Sequence, residues 1–600
     1  MRPSQAPRKW LLAVLLAIFA AGLTFFLFRP LGTPSDLRDR VAAALSEWTG
    51  GSVSLSEPLR VRYFPPSVRG GLVLSDATKL PGVKTITAPD FKISLALPDL
   101  LLGNIRLSAL RLDQPTMTLN EAVSDTAPKV SVPARLFSFL AAAPIETIRI
   151  QDGTIQPANG KPLFRKFDVR LNTRGQIGAL EAMGSFVFKS EAANFSFDSG
   201  RIVKTEAGRT APVSLKFTSA PLTARFSGTM RKGRTLEGDG TLEARSPNVR
   251  QFLTWIGRPL PDGESLKNAY ASGDVHWSGT TLTFNDGTFG FDGNEAVGLF
   301  ALSIDSRPRV EGTLAFDQLT LDPYLPSADM DQEPIFDWVL LKHLDADLRV
   351  SAGEVFAQGL ELGHGGLTIN AKGGKISSEI GGISVCGGEA EGRLYLDLSG
   401  PRTEASLNGS LANIVIEDCL QALSLGVPIE GSGTLKADVS TGGKTREELI
   451  RGLAGTIKIT AVDGVVPIDF AALAPKSSSD GTGWSQDSWT KGSGTGFSSL
   501  DADCSLSAGH LWCQSCRMET SKGVISGAGG LDVAQQTLDW DLLMADSVAP
   551  PDTSKLVMKN RPRVTVNGTL SAPLIEGVSR PNAETGSTNT DSESIVGTPR

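Results

Sequence analysis

Apolar and polar residues alternate with a period of two through most of the chain. In Phe91-Lys92-Ile93-Ser94-Leu95-Ala96-Leu97 the odd positions are apolar, and Val213, Leu215 and Phe217 alternate with Ser214 and Lys216. Leu344, Ala346, Leu348 and Val350 alternate with Asp345, Asp347 and Arg349, and Leu394, Leu396 and Leu398 with Arg393, Tyr395 and Asp397. Successive side chains of a strand point to opposite faces, so each segment reads as a strand with one wet and one apolar face. A short unit, Gly-(Ser/Thr)-(Leu/Met), recurs at Gly228, Gly240, Gly312, Gly409, Gly433 and Gly568. Three copies lead into a short apolar segment: Gly240 to Phe252-Leu253, Gly312 to Tyr324-Leu325, and Gly409 to Cys419-Leu420. The copies are too irregularly spaced for a strict solenoid repeat. They predict a mainly β chain, an accreted antiparallel sheet of strand-rich modules.

Few helices are expected. Ser35 is a candidate cap for a helix with Leu37, Val41, Leu45 and Trp48 on one stripe, ended by Gly50-Gly51. Thr445-Arg446-Glu447-Glu448 reads as a capping box ahead of Leu449, Ile450 and Leu453. Residues 136–140 form a weaker helical candidate. The Ser-, Gly- and Thr-rich stretch 476–499, with Trp484 and Trp489, reads as a flexible loop, and 577–600 as a disordered tail.

The N-terminus differs from all of this. Arg2, Arg8 and Lys9 precede an uninterrupted apolar run, 10–28, closed by Arg29-Pro30. Its 19 residues reach about 28 Å as a helix, one hydrocarbon thickness. A cleaved signal peptide is the alternative, with Ala20-Ala21-Gly22 as its cleavage site, but Leu23-Thr24-Phe25-Phe26-Leu27-Phe28 prolongs the run past it. The expected topology is a single crossing with residues 1–9 in the cytoplasm, because positive charge precedes the helix.

With 600 residues the chain is too long for one compact core. Its net charge of −7 and pI near 5.4 speak against nucleic acid as the main partner, since phosphate binding needs clustered Lys and Arg. Four histidines and five cysteines leave little material for a metal enzyme, and 64 glycines with 35 prolines suit many strands and turns. No phosphate-cradling loop and no basic aromatic patch is legible.

His510-Leu511-Trp512-Cys513-Gln514-Ser515-Cys516 offers Cys-x-x-Cys beside a histidine. It lacks the second ligand pair of a strong zinc site and the strand-then-helix setting of a thioredoxin-like site. With Ala508-Gly509 as a two-residue turn, Cys504 faces Cys513 at a non-hydrogen-bonded position, where side chains approach closely. A structural Cys504–Cys513 disulfide is the favoured reading, with Cys516 as competing partner and metal, redox or free-thiol readings left open. His276, His343 and His364 are widely separated. Gly363-His364-Gly365-Gly366 reads as a turn before an oxyanion loop, and Asp317 and Asp322 as solvated charges before paired carboxylates. No catalytic, cofactor or metal site is assigned.

The order of pieces at both ends resembles the AsmA-like family. At the N-terminal end these are the apolar run, the helix, Val53-Ser54-Leu55, Tyr63-Phe64-Pro65, Leu97-Pro98-Asp99-Leu100-Leu101-Leu102-Gly103-Asn104 and Leu110-Arg111-Leu112-Asp113-Gln114-Pro115. Toward the C-terminus they are Gly433-Thr434-Leu435-Lys436-Ala437-Asp438, the Thr445 capping box, Leu453-Ala454-Gly455-Thr456, Asp463-Gly464-Val465-Val466, and Gly527-Ala528-Gly529-Gly530-Leu531-Asp532 with Leu538-Asp539-Trp540. The resemblance covers about 1–120 and 405–575; the Ser/Gly stretch 476–499 and the cysteine hairpin 504–516 depart from the pattern. It implies an N-terminal module at 31–125, a strand-rich middle at 126–404 and a C-terminal module at 405–576. It further implies a non-enzymatic protein of outer-membrane biogenesis, anchored in a bacterial inner membrane through 10–28, with its bulk in the periplasm. The implied fold is an extended, curled, trough-like sheet whose apolar face shelters or transfers phospholipid or lipopolysaccharide. The alternatives are an envelope scaffold that contacts outer-membrane protein assembly factors and a hydrolase of envelope polymers. No cofactor is expected.

Overall fold

The computed structural model describes residues 33–120, 143–324, 344–470, 494–545 and 563–578 apart from short internal gaps, with a few residues elsewhere. The predicted span 10–28 lies outside them except at 14 and 16–18, which are helical. Among the described residues no helix is long and apolar enough to cross a membrane. The tail 577–600 lies outside them beyond Val578, as do His343 and Trp489. Two compact units form: one of 1–328, 336–355 and 368–374, the other of 329–335, 356–367 and 375–600. The division near residue 375 falls within the stretch predicted as a single middle region. Both units are mainly β.

The first unit opens with helix α1 (Pro34–Thr49). Its cap is Thr33 rather than Ser35. Pro34 needs no partner for a backbone N–H and sits inside the first turn, so the capping residue is the one before it. The Thr33 hydroxyl accepts from Asp36 N, while the Asp36 carboxylate accepts from Thr33 N at 3.0 Å. Gly50, at φ 69°, ends the helix in the left-handed conformation that a side chain would oppose. The predicted stripe packs inward: Leu37, Val41 and Leu45 are buried against Val68, Phe91, Ile93, Leu110 and Ile148. Trp48 stacks on Phe139, in the weakly predicted 136–140 segment, with centroids 4.8 Å apart.

Seventeen strands, from Ser52–Tyr63 to Arg309–Thr320, follow among the described residues. Neighbours pair antiparallel with one exception. Strands Leu107–Asp113 and Thr116–Leu119 both pair parallel with Thr147–Pro157, after a connection long enough for a crossover. The antiparallel expectation is therefore corrected at this step.

Twelve strands, from Lys375–Val385 to Ala572–Val578, belong to the second unit. The flexible loop predicted at 476–499 is corrected at its C-terminal end. Its last residues, 495–499, open strand Thr495–Ser507, where Phe497 is drawn into the core with Ala461, Met518, Ile525 and Val564. Gly483–Trp484 pairs with Glu576 and Ile575, and the rest of the loop lies outside the described residues.

Some copies of the recurring glycine unit lie in a strand that leads to a helix, whereas those at Gly228 and Gly568 lead to another strand. The segments after Gly240 and Gly409 are helices α3 (Val249–Ile256) and α4 (Ile416–Ala422), and Gly312 leads to a single 3-10 turn at Asp322–Tyr324. Helix α2 (Leu97–Leu101) precedes them in the chain, and α5 (Arg446–Arg451), capped by Thr445 at 3.3 Å from Glu448 N, follows Gly433.

Candidate functional site

In the first unit the strand registers line up apolar side chains across neighbouring strands. Phe197 stands opposite Leu215, Leu215 opposite Phe226, and Phe226 opposite Leu242. A parallel row on the same face holds Phe195, Phe217, Ala224 and Ala244. The intervening positions Lys216, Arg225 and Glu243 point to the other face and are exposed. The sheet is thus amphipathic across its strands as well as along them.

Phe197 packs against the edge of the core under α1. Beyond that edge burial fades: Leu215 is 39% exposed, and Phe226 and Leu242 are only half-buried. Helix α3 covers the neighbouring end of the face. Its Trp255 is buried, donates from Nε1 to Phe188 O at 2.8 Å, and packs edge-on against the Phe188 ring at 5.7 Å. The Phe197–Leu242 row is left as a half-open apolar strip.

The second unit has a row of its own. Leu394 faces Leu407, Leu407 faces Val439, and beyond Gly455 Leu506 faces Leu511 and Leu511 faces Leu531. Leu407 is 37% exposed, whereas Leu506 is buried.

Beside this row Cys504 is bonded to Cys513, at register positions facing each other across a turn whose two residues both have positive φ, Ala508 at 51° and Gly509 at 80°. Gln514 is an extra residue between the Cys504–Cys513 and Asp503–Ser515 pairs. That bulge turns Cys516 back to the side of Cys513, against the same Ala502–Cys504–Cys513 cluster. Cys516 is a free thiol, and burial raises its pKa. His510 is three regular positions from Cys513 and so points to the opposite face, with Nδ1 3.4 Å from Asp532. This parity separates the histidine from the thiols, and no group of three or more metal-type side chains forms among the described residues.

A second disulfide, Cys386–Cys419, had no signal in the sequence. Its cysteines are 33 residues apart and only the fold brings α4 to the turn at Cys386, where Val415 N also donates to Cys386 O at 2.8 Å. Closing that loop is worth about 3–4 kcal/mol and closing the nine-residue Cys504–Cys513 loop about 2–3 kcal/mol. Cys386→Ser is therefore expected to lower the urea midpoint more than Cys504→Ser, which equilibrium unfolding of the two variants measures.

The remaining candidates do not converge. His276 Nδ1 lies 2.7 Å from Asp239 Oδ1 on the exposed face. His364 Nδ1 lies 3.2 Å from Ser384 Oγ, and both backbones are tied together, Gly363 N to Ser384 O and Ser384 N to His364 O, as the entry to a strand. Asp317 is exposed in a strand, and Asp322 opens the 3-10 turn.

Comparison with protein families gives a match to the AsmA family over residues 327–516. No curated protein and no solved structure matched the chain. The matched span includes the C-terminal region up to 516 and extends upstream into 327–404, where only strand character was legible; it does not include 1–120. The match supports an AsmA-like assignment through residues 327–516.

Proposed function

We propose that this protein is a non-enzymatic component of outer-membrane biogenesis, anchored in the inner membrane by 10–28, that shelters or transfers acyl chains along the apolar face of its sheet. The single observation carrying this reading is the Phe197–Leu215–Phe226–Leu242 row, aligned across four strands and left half-open. Such a strip stays favourable in water only when something apolar covers it, and an extended acyl chain of a phospholipid or lipopolysaccharide has the matching chemistry. Family membership is consistent with an envelope role, and two disulfides fit an oxidising compartment such as the periplasm. A trough built by curling the sheet around this face is part of the same proposal.

A photo-crosslinking amino acid at Leu215, activated in intact cells, is expected to yield lipid adducts, and the same probe at neighbouring Lys216 none. Equal labelling from both positions, or adducts to protein alone at Leu215, would replace this reading with that of an envelope scaffold.

A further inference from the structure

On the polar face of the first unit, register gathers cations that the sequence scatters. Arg60 stands opposite Arg69, Arg69 opposite Lys92, Lys92 opposite Arg111, Arg111 opposite Arg149, and Arg149 opposite Arg170. Each of six neighbouring strands contributes one cation to a single cross-strand row, and all six side chains are exposed. Like charges directly opposed across a sheet destabilise it, so folding alone gives no reason for the arrangement. Arg69 is compensated by Asp90, whose carboxyl it holds below the usual range, and Arg111 pairs with Asp113 at 3.0 Å. Lys92, Arg149 and Arg170 form no ion pair among the described residues.

An independent feature lies at one end of the same strands. Tyr63 pairs with Pro66, Ser67 with Ser94, and Leu95 with Leu107, so the turn at 64–65 and the connection 96–106 emerge together. They carry Phe64, 76% exposed, and Leu102, 78% exposed, the two most exposed large apolar residues among those described. Bulky apolar tips beside a basic face are what an anionic bilayer accepts, the tips entering the interface while the cations meet headgroup charge.

We propose that the Arg60–Arg170 row, with Phe64 and Leu102, docks this part of the sheet on an anionic lipid bilayer surface. The proposal rests on the anchored topology above, since 10–28 ends just before α1 and would hold these strands beside its own bilayer; it does not depend on the apolar rows. Docking would set the Phe64 and Leu102 end of these strands against the leaflet.

The test uses the full-length chain in vesicles of phosphatidylcholine, with or without phosphatidylglycerol. An NBD fluorophore is placed at Leu102→Cys in a Cys516→Ser background. NBD emission is expected to shift to the blue, and to be quenched by nitroxide-bearing lipid, only when phosphatidylglycerol is present, and roughly 0.5 M salt (about three times physiological) is expected to reverse both changes. The triple variant Lys92→Gln, Arg149→Gln, Arg170→Gln is expected to lose the response with a thermal midpoint equal to or above that of the parent, because repulsion is relieved. An unchanged response in the triple variant, a lowered midpoint, or identical emission in both lipids overturns the proposal. A response to dextran sulfate in solution with none to phosphatidylglycerol overturns it in favour of a soluble polyanion. Failure of the protein to float with vesicles overturns the anchored reading and the docking together; flotation without the fluorescence response overturns the docking alone.

Discussion

Leu215→Asp combined with Phe226→Asp is expected to reduce the lipid retained by the purified protein by about 100-fold, read by mass spectrometry of co-purifying lipid. The two residues face each other in the centre of the half-open row. A carboxylate against an acyl chain must lose hydration without gaining a partner, which costs several kcal/mol per charge, and about 3 kcal/mol already corresponds to two orders of magnitude in affinity. The same replacement disturbs the fold far less. Leu215 is 39% exposed and Phe226 half-buried, so folding forfeits roughly 1 kcal/mol of burial at each position. Lys216→Asp with Arg225→Asp makes an equal or larger change of charge one residue away on the opposite face, and is expected to leave lipid retention unaltered. Loss of lipid in both pairs would show that charge, rather than the apolar row, governs the effect.

Gly240→Val is expected to lower stability by about 3 kcal/mol. Gly228 and Gly240 face each other across two strands, and their backbones approach so closely that a Cβ on Gly240 would lie 2.3 Å from Ser227 O and 2.6 Å from Gly228 Cα. Those are backbone atoms, which cannot swing aside as a side-chain end does, so one strand must move and its ladder must break. Gly442→Ala supplies the contrast: its added Cβ would meet Thr403 O at 3.7 Å, an ordinary contact, and its thermal midpoint should stay near the parent's. A Gly240→Val protein that melts with the parent would show that the strands can separate locally at little cost.

These glycines show how far the sequence could be read. The Gly-(Ser/Thr)-(Leu/Met) unit was visible as a recurrence, and its placement in strands followed from the alternation around it. Close approach of Gly228 to Gly240 was not visible, because it depends on which strand lies next to which. The segment after each of three copies was legible as apolar but not as helical. Phe252-Leu253 and Cys419-Leu420 are too short for their periodicity to separate helix from strand. At Thr33 the cap moved two residues from the expected Ser35 through the presence of Pro34, a local rule that the sequence contained.

The cysteines divide in the same way. Cys504 and Cys513 flank a two-residue turn, so their pairing was within reach of counting outward from Ala508-Gly509. Cys386 and Cys419 are joined by no such count. Cys516 is three residues from Cys513, a spacing that puts the two on opposite faces of a regular strand, and the bulge at Gln514 reverses it.

The sequence by itself determined the strands, their two-faced character, the stripe of α1 and the resemblance to the AsmA-like family, because alternation, capping and turn chemistry act over a few residues. Beyond the Cys504–Cys513 hairpin, register belongs to tertiary structure. Leu215 and Phe226 become one apolar strip, and Arg69, Lys92, Arg111 and Arg149 one cationic row, only when hydrogen bonding between backbones fixes which residue stands opposite which. Those bonds are made by peptide groups common to nearly every residue, so the side chains whose neighbours they decide carry little record of the outcome.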